Sequence, residues 1–304
     1  MKHIRHAVWV LICVVALVGC KGESDPLIVC LMGDPQLIMV PETPDNVDVA
    51  MNDILNLDHD FIAVLGDLAQ GDSKYYREYK ELILNRSIQP VYSLAGNGDV
   101  GAGLSEYQQV TGLPLYYSIY RRGIRFIFLS TVATSGKHAH ICHIGSEQLS
   151  WLSDELEADK NSTTILFSHP PIFETTWRSE ERDHLANPGS MYLSESAQLR
   201  RLFHKYPNIK IYAHGHLHHG YGGVDENGRG DYYFEGNVLN ISVAATANNQ
   251  GSSFLFINGN EITVKARNHQ TGTWIKTSEY KYSAVSTTLS VGSNKVEGHG
   301  SSSL

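Results

Sequence analysis

Cysteine is scarce in this chain, with four in 304 residues. That count excludes a disulfide-built scaffold, so a buried apolar core has to hold the fold. Positive charge is scarce too: 24 lysines and arginines face 32 acidic residues, for a net charge of −8. No basic stripe runs through the sequence, which removes electrostatic support for a nucleic-acid-binding surface. No apolar run reaches the roughly 20 residues that a spanning helix needs. No internal repeat and no interdomain linker is visible, so one large domain is expected. What is present is an ordinary globular composition, 42% hydrophobic and 18% charged.

The longest apolar run, Ala7 to Val18, lies behind Lys2 and Arg5 and closes in LVGC, Leu17 to Cys20. Residues 1–19 read as an export signal peptide. Without them the net charge is about −10, because Lys2 and Arg5 go with them. Small residues before a lone cysteine resemble a bacterial lipoprotein signal, in which Cys20 carries lipid and becomes the mature N-terminus. The expected location is then the periplasmic or cell-surface side of a bacterial membrane, anchored by that lipid. A plain secretory signal and an uncleaved anchor are the alternatives. In an exported protein Cys30 and Cys142 could pair, but Cys30 sits inside an apparent core strand, which favours a buried free thiol.

Residues 20–26 read as a tether, and 27–283 as the folded domain. LIVCLMGD (27–34), FIAVLGD (61–67) and QPVYSLAGNGD (89–99) are buried strands that each end in an acidic turn. Helical spacing falls between them, over Thr43–Leu57 and Lys74–Leu84. The alternation predicts βαβ crossovers and a parallel sheet. LYYSIY and IRFIFLS flank RRG as an antiparallel hairpin. A helix from a capping Ser146 to Leu156 precedes the strand TTILFSHPP, and a helix over Glu195–Tyr206 precedes NIKIYAHGH. VLNISVAA, SFLFING and EITVKAR read as a C-terminal antiparallel β region. Residues 284–304, rich in Ser and Gly, read as a disordered tail.

Polar residues gather where the strands end. Asp34, Asp67, Asn97, Asp99, His169, His216 and His218 all follow apolar runs. In α/β sheets, sites form at the carboxyl ends of strands. Carboxylate and amide oxygens mixed with imidazole suit Zn, Mn, Fe or similar ions. An acidic protein that handles phosphate would need such cations.

GDPQ (33–36), GDLAQGD (66–72), GNGD (96–99), SHPPI (168–172) and HGHLHH (214–219) follow one another in the order D-x-H, G-D-x-x, G-N-H-D/E, H and G-H-x-H. In this the chain resembles the calcineurin-like metallophosphoesterases over nearly all of residues 27–270. The resemblance implies an α/β fold, a four-layer αββα sandwich of mixed sheets. It also implies two divalent metal ions: Asp34, Asp67 and His218 would hold one, and Asp67, Asn97, His169 and His216 the other. A hydroxide shared by the ions would attack a phosphate-ester substrate. Asp99 resembles the acid that orients the catalytic histidine of the fourth motif position.

Two departures stand out. Gln36 replaces the histidine of D-x-H; its amide oxygen can still ligate, more weakly than imidazole. Gly98 replaces the histidine that protonates the leaving group, and loss of a general acid costs typically 10²–10⁴-fold with poor leaving groups. His138 and His140, in KHAHICH, are candidates to supply the missing proton, against the reading of a solvated loop. His214 and His219 flank the last motif, one expected in the core and the other towards solvent. The competing reading of the whole chain is a degenerate scaffold that acts as a non-catalytic binding module.

Overall fold

In a computed structural model of the chain, the residues described are 25–37, 41–131, 142–176, 191–220, 231–249, 251–283 and 286–291. The first sheet is built around three parallel strands, β1 (Leu27–Met32), β2 (Phe61–Leu65) and β3 (Val91–Leu94). Every residue of β1 and β2 is buried. Side chains alternate across a strand, and the two faces meet different layers. Leu27, Val29 and Leu31 join the core between the sheets, whereas Ile28, Cys30 and Met32 join the core beneath the helices. Both faces being covered explains the unbroken apolar runs.

The helices of this side are α1 (Thr43–Ile54), α2 (Tyr75–Tyr79), α3 (Asn97–Ala102) and α4 (Leu104–Thr111). Val47, Ala50, Met51 and Ile54 bury one face of α1 at helical spacing, with proline in its first turn. Burial of a side chain such as Val47 or Met51 contributes about 1.5–3 kcal/mol. The segment expected as one helix from Lys74 to Leu84 is α2 followed by a π-helical turn at Lys80–Leu84.

The second sheet holds β4 (Tyr117–Arg121), β5 (Ile124–Phe128), β6 (Thr164–Ser168), β7 (Ile209–His214), β8 (Tyr232–Glu235) and β9 (Val238–Ser242), in the order β4-β5-β6-β7-β9-β8. Its outer face is covered by α5 (Ser146–Ala158) and α6 (Ser196–Lys205). Ser146 opens α5 but does not cap it: Gly145 is the N-cap residue, with no side-chain cap. Arg125 is fully buried. It donates to the Glu155 and Asp159 carbonyls where α5 ends, the place where a cation suits the helix dipole.

After α7 (Thr246–Asn249), the chain returns to the first sheet through β10 (Gly251–Asn258), β11 (Glu261–Asn268), β12 (Thr273–Trp274), β13 (Tyr280–Ser283) and β14 (Ser286–Val291). The layers are therefore helix, sheet, sheet, helix. Two expectations are corrected. VLNISVAA does not join the C-terminal antiparallel strands: β9 lies parallel to β7 in the other sheet, antiparallel only to β8. Within the tail expected from residue 284, residues 286–291 form β14, which pairs antiparallel with β13 and extends the edge of the first sheet.

Two further contacts matter later. Asp53 of α1 accepts from Arg267 Nε (2.6 Å) and Nη2 (2.7 Å) and from His269 Nδ1 (2.7 Å), and the Ser252 hydroxyl completes the chain to His269 Nε2 (2.7 Å). At the Leu27 end of β1, Arg122 donates to the Asp25 carbonyl (2.8 Å) and lies 3.6 Å from Asp60. Cys30 and Cys142 are buried thiols, and burial pushes both up to about 12.

Candidate metal centre

The carboxyl ends of β1, β2, β3, β6 and β7 deliver Asp34, Asp67, Asn97, His169, His216 and His218 to one rim. Backbone bonds fix the rim before any side chain acts. Gln36 N–H donates to Asp67 O (2.7 Å), and Leu37 N–H to Leu68 O (3.2 Å), so the loops after β1 and β2 are stitched together. Gly215 N–H donates to His169 O (3.0 Å), which joins the loops after β6 and β7. Seven described non-glycine residues have positive φ, and five are in these loops: Asp34 (41°), Gln36 (38°), Asp67 (52°), His216 (69°) and His218 (63°). Each such conformation costs on the order of 1–3 kcal/mol, and such strain collects at functional sites.

The side chains converge. Ligand atoms of Asp34, Asp67 and His169 lie within 4.8 Å of one another, all buried. His169 Nδ1–H donates to Leu65 O (2.8 Å), which aims Nε2 at Asn97 Oδ1 (3.0 Å), Asp67 Oδ1 (3.3 Å) and His216 Nδ1 (3.1 Å). Asp34 accepts from the His216 N–H (2.9 and 3.1 Å), and His218 Nε2 lies 3.5 Å from it. Two close approaches need glycine: a Cβ on Gly96 would lie 2.2 Å from Asp67 Oδ1, and one on Gly215 2.4 Å from Asp34 Oδ2.

This arrangement has the chemistry of a cation site. Nε2, a carboxylate oxygen, an amide oxygen and a second imidazole nitrogen turn towards one another. Only a proton or a metal can reconcile them. As a proton site, burial works against the charge on His169, but the Asp67 and Asp34 carboxylates outweigh it and raise the ring to about 9. Burial likewise opposes ionisation of Asp67, and the charges of His169 and His216 with the Gly98 N–H hold it well below the usual range. His218 is raised against its burial by its hydrogen bond to Asp34. A second observation fits a metal. Gln36 donates through Nε2 to Asp67 Oδ2 (2.9 Å), while its buried Oε1 has no partner among the described residues. A carbonyl oxygen left so costs about 1–3 kcal/mol. The residues present fit a metal centre.

Asp99 is fully buried beside this cluster. It accepts from the N–H groups of Gly96 (2.8 Å), Ala69 (3.0 Å) and Leu68 (3.2 Å) and from the Tyr76 hydroxyl (3.1 Å), so it ties the loop after β2 to the loop after β3. Burial and the Asp67 charge push it up to about 7. With glycine at 98 there is no imidazole at that position for it to orient. His214 is wholly buried, and burial lowers it to about 3; His219 is partly buried and pairs with Asp231 (2.6 Å). His138, His140 and Cys20 lie outside the described residues, as does the signal segment. One residue escaped sequence reasoning. Gln70, exposed at the rim, brings its amide oxygen to 2.6 Å from where a Gly98 Cβ would stand. The signal for it was the empty place at Gly98, which some neighbour had to fill.

The calcineurin-like phosphoesterase profile matches residues 27–220. A 3',5'-cyclic-nucleotide phosphodiesterase of Nostoc sp. is 24% identical over 159 residues, 52% of this chain and 56% of that protein. The match thus spans just over half the length of that relative. Among solved structures, a dimetal phosphatase from Danio rerio superposes with a TM-score of 0.63 at 12% identity, over 86% of this chain and all of that one. The anchor in the inner membrane complex of Plasmodium superposes with 0.60 at 13% identity, over 89% of this chain and 90% of that one. At such identities the likeness is one of fold, and this fold carries a phosphatase and an anchor alike. Sequence profile, fold and the candidate metal-holding residues at the strand ends agree: the chain belongs to the calcineurin-like phosphoesterases, a family of phosphoric ester hydrolases with a dinuclear metal centre.

Proposed function

We propose that the protein hydrolyses phosphate esters with two divalent ions bound at this rim. The observation that carries the reading is the turn of His169 Nε2 towards Asn97, Asp67 and His216, beside the orphaned Gln36 oxygen. Asp34, His218 and Gln36 would hold one ion and Asn97, His169 and His216 the other. Asp67 would serve both, since Oδ1 faces His169 and Oδ2 faces Gln36. When bound, such ions neutralise phosphoryl oxygens and make a water acidic enough to attack. The chain's own part is to hold ligands rigidly. The Leu65 carbonyl fixes the His169 ring, and the Gly98 N–H (2.7 Å) fixes Asp67.

No described side chain at residue 98 gives up a proton, so substrates whose leaving group departs as an anion should suit the site. Aryl phosphodiesters and pyrophosphates are such substrates, and the phosphodiesterase named in Nostoc makes diesters the first class to try. The test is a screen of the purified protein, loaded with Mn²⁺, Fe²⁺ or Zn²⁺, against mono-, di- and pyrophosphate esters, with metal content measured in parallel. Hydrolysis that needs metal supports the reading. Tight metal with no turnover on any class would make the chain a metal-holding scaffold, and no metal would sink both ideas. Export and a lipid on Cys20 belong to the same proposal and rest on LVGC behind residues 1–19. A Cys20→Ser form should lose an acyl label; normal processing of that form would show a plain secretory signal.

A further inference from the structure

Gly98 is the second residue of α3, and its N–H points at Asp67 Oδ1. A Cβ built on Gly98 would stand 3.1 Å from that oxygen and 2.6 Å from the Gln70 amide oxygen. The space that any residue 98 side chain would enter is therefore beside the Asp67 carboxylate and already holds the end of Gln70. The backbone that carries Gln70 is pinned. Its own N–H donates to Leu37 O (3.4 Å), the next residue donates from Gly71 N–H to Gly98 O (3.2 Å), and Ala69 bridges Leu37. Only the side chain is left to move. Asp67 and Gly98 are buried while Gln70 is exposed, so the amide forms the solvent side of the rim.

An amide has a particular repertoire in that place. It donates and accepts hydrogen bonds, stays neutral at every working pH, and cannot hand over a proton. Beside a carboxylate, a neutral donor can meet an anionic oxygen without adding charge of its own. We propose that Gln70 is a positioning and specificity-determining residue, whose amide occupies the space over Gly98 and donates a hydrogen bond to an oxygen of the phosphate ester. This rests on the function proposed above. It also couples Gly98 to Gln70: a Cβ at 98 would meet the amide end, and glycine leaves that place open to it.

The experiment uses the full protein loaded with Mn²⁺, with bis(p-nitrophenyl) phosphate as substrate and inorganic phosphate as a binding probe in calorimetry. Gln70→Ala should keep its metal content, raise KM roughly tenfold and weaken phosphate by a similar factor, the loss typical of one hydrogen bond to a charged group. Its kcat should move less than about threefold, and the pH profile should keep its limbs, because no titrating group is lost. Gln70→Glu should be worse than Gln70→Ala, since a carboxylate repels phosphate. Gly98→Ala should reproduce part of the defect by displacing the amide, and should add nothing further in a Gln70→Ala background. An active parent whose Gln70→Ala form keeps both KM and phosphate affinity overturns this inference and leaves the proposed function standing. So does metal loss from Gln70→Ala, which would assign the amide to the ions, or Gly98→Ala and Gln70→Ala effects that multiply independently. A parent that neither hydrolyses the ester nor binds phosphate sinks both.

Discussion

Two polar clusters in this molecule each set carboxylate against imidazole and come out differently. Around Asp53, one carboxylate meets Arg267, His269 and, through that ring, Ser252. Each donor there faces an acceptor. The cluster closes on itself and fastens α1 to β10 and β11. Around Asp67, two carboxylates, an asparagine and three imidazoles share one rim, and acceptors face acceptors. Backbone strain follows the same division: Asp34, Asp67, His216 and His218 have positive φ, whereas none of the Asp53 group does. A satisfied cluster is structure. A cluster that turns carboxylate, amide and imidazole atoms upon one another in strained loops fits a metal centre.

The comparison can be broken most sharply at its two carboxylates. Asp67→Ala should cut turnover at least about a thousandfold, as removal of a principal charge-stabilising group does. Asp53→Ala should leave kcat/KM of the folded protein within about threefold. Assays of both on an aryl phosphodiester check this, and comparable losses from the two would erase the distinction. Stability should show the reverse pattern. Breaking the Asp53 cluster leaves Arg267 without its carboxylate and should cost on the order of 3 kcal/mol, read by urea titration. Loading the metal-free protein with ions at about a thousand times their dissociation constant should add about 4 kcal/mol to the parent and to Asp53→Ala alike, and much less to Asp67→Ala.

Acid provides a smaller effect. Burial lowers His269 below its ordinary value, so the unfolded chain binds the extra proton and stability rises with pH. This contribution is present above the unfolded value near 6.5 and is lost as pH falls below it. Asp53 is also lowered, its burial outweighed by Arg267 and His269, and its contribution goes at lower pH still. Metal-free His269→Gln should therefore lose less stability than the parent between pH 7 and pH 5; an identical slope would clear His269 of any part. The smallest effect belongs to Gln36. With an amide where relatives of D-x-H type have imidazole, one ion should leave early under mild chelation. Gln36→His should slow that loss by roughly tenfold. Equal release of both ions from the parent would count against the assignment.

The candidate rim was legible in the sequence because its polar residues each close an apolar run, and the runs are strands. The layers were legible for the same reason: LIVCLM is apolar on both faces, so both faces had to be covered. What stayed hidden depends on partners distant in sequence. Nothing in VLNIS says that it lies parallel to IKIYAH, since a buried strand looks alike in either direction. The π-helical turn after α2 and the strand at Ser286–Val291 come from packing and pairing, which propensity does not encode. Asp99 looked like an orienting acid by position; its partners are the backbones of Leu68, Ala69 and Gly96. Gln70 lies within GDLAQGD without an assigned role there, and the shape of the space above Gly98 brings it into view.

The direction of β1 has a consequence for how the protein faces its surroundings. The six residues of β1 rise about 20 Å, from the end where Arg122 meets Asp25 to the turn that carries Asp34. That end and the rim gathering Asp34, Asp67 and His169 thus lie at opposite ends of one strand. A surface that met the protein at the Asp25 end would leave the rim facing away from it, open to esters arriving from solution.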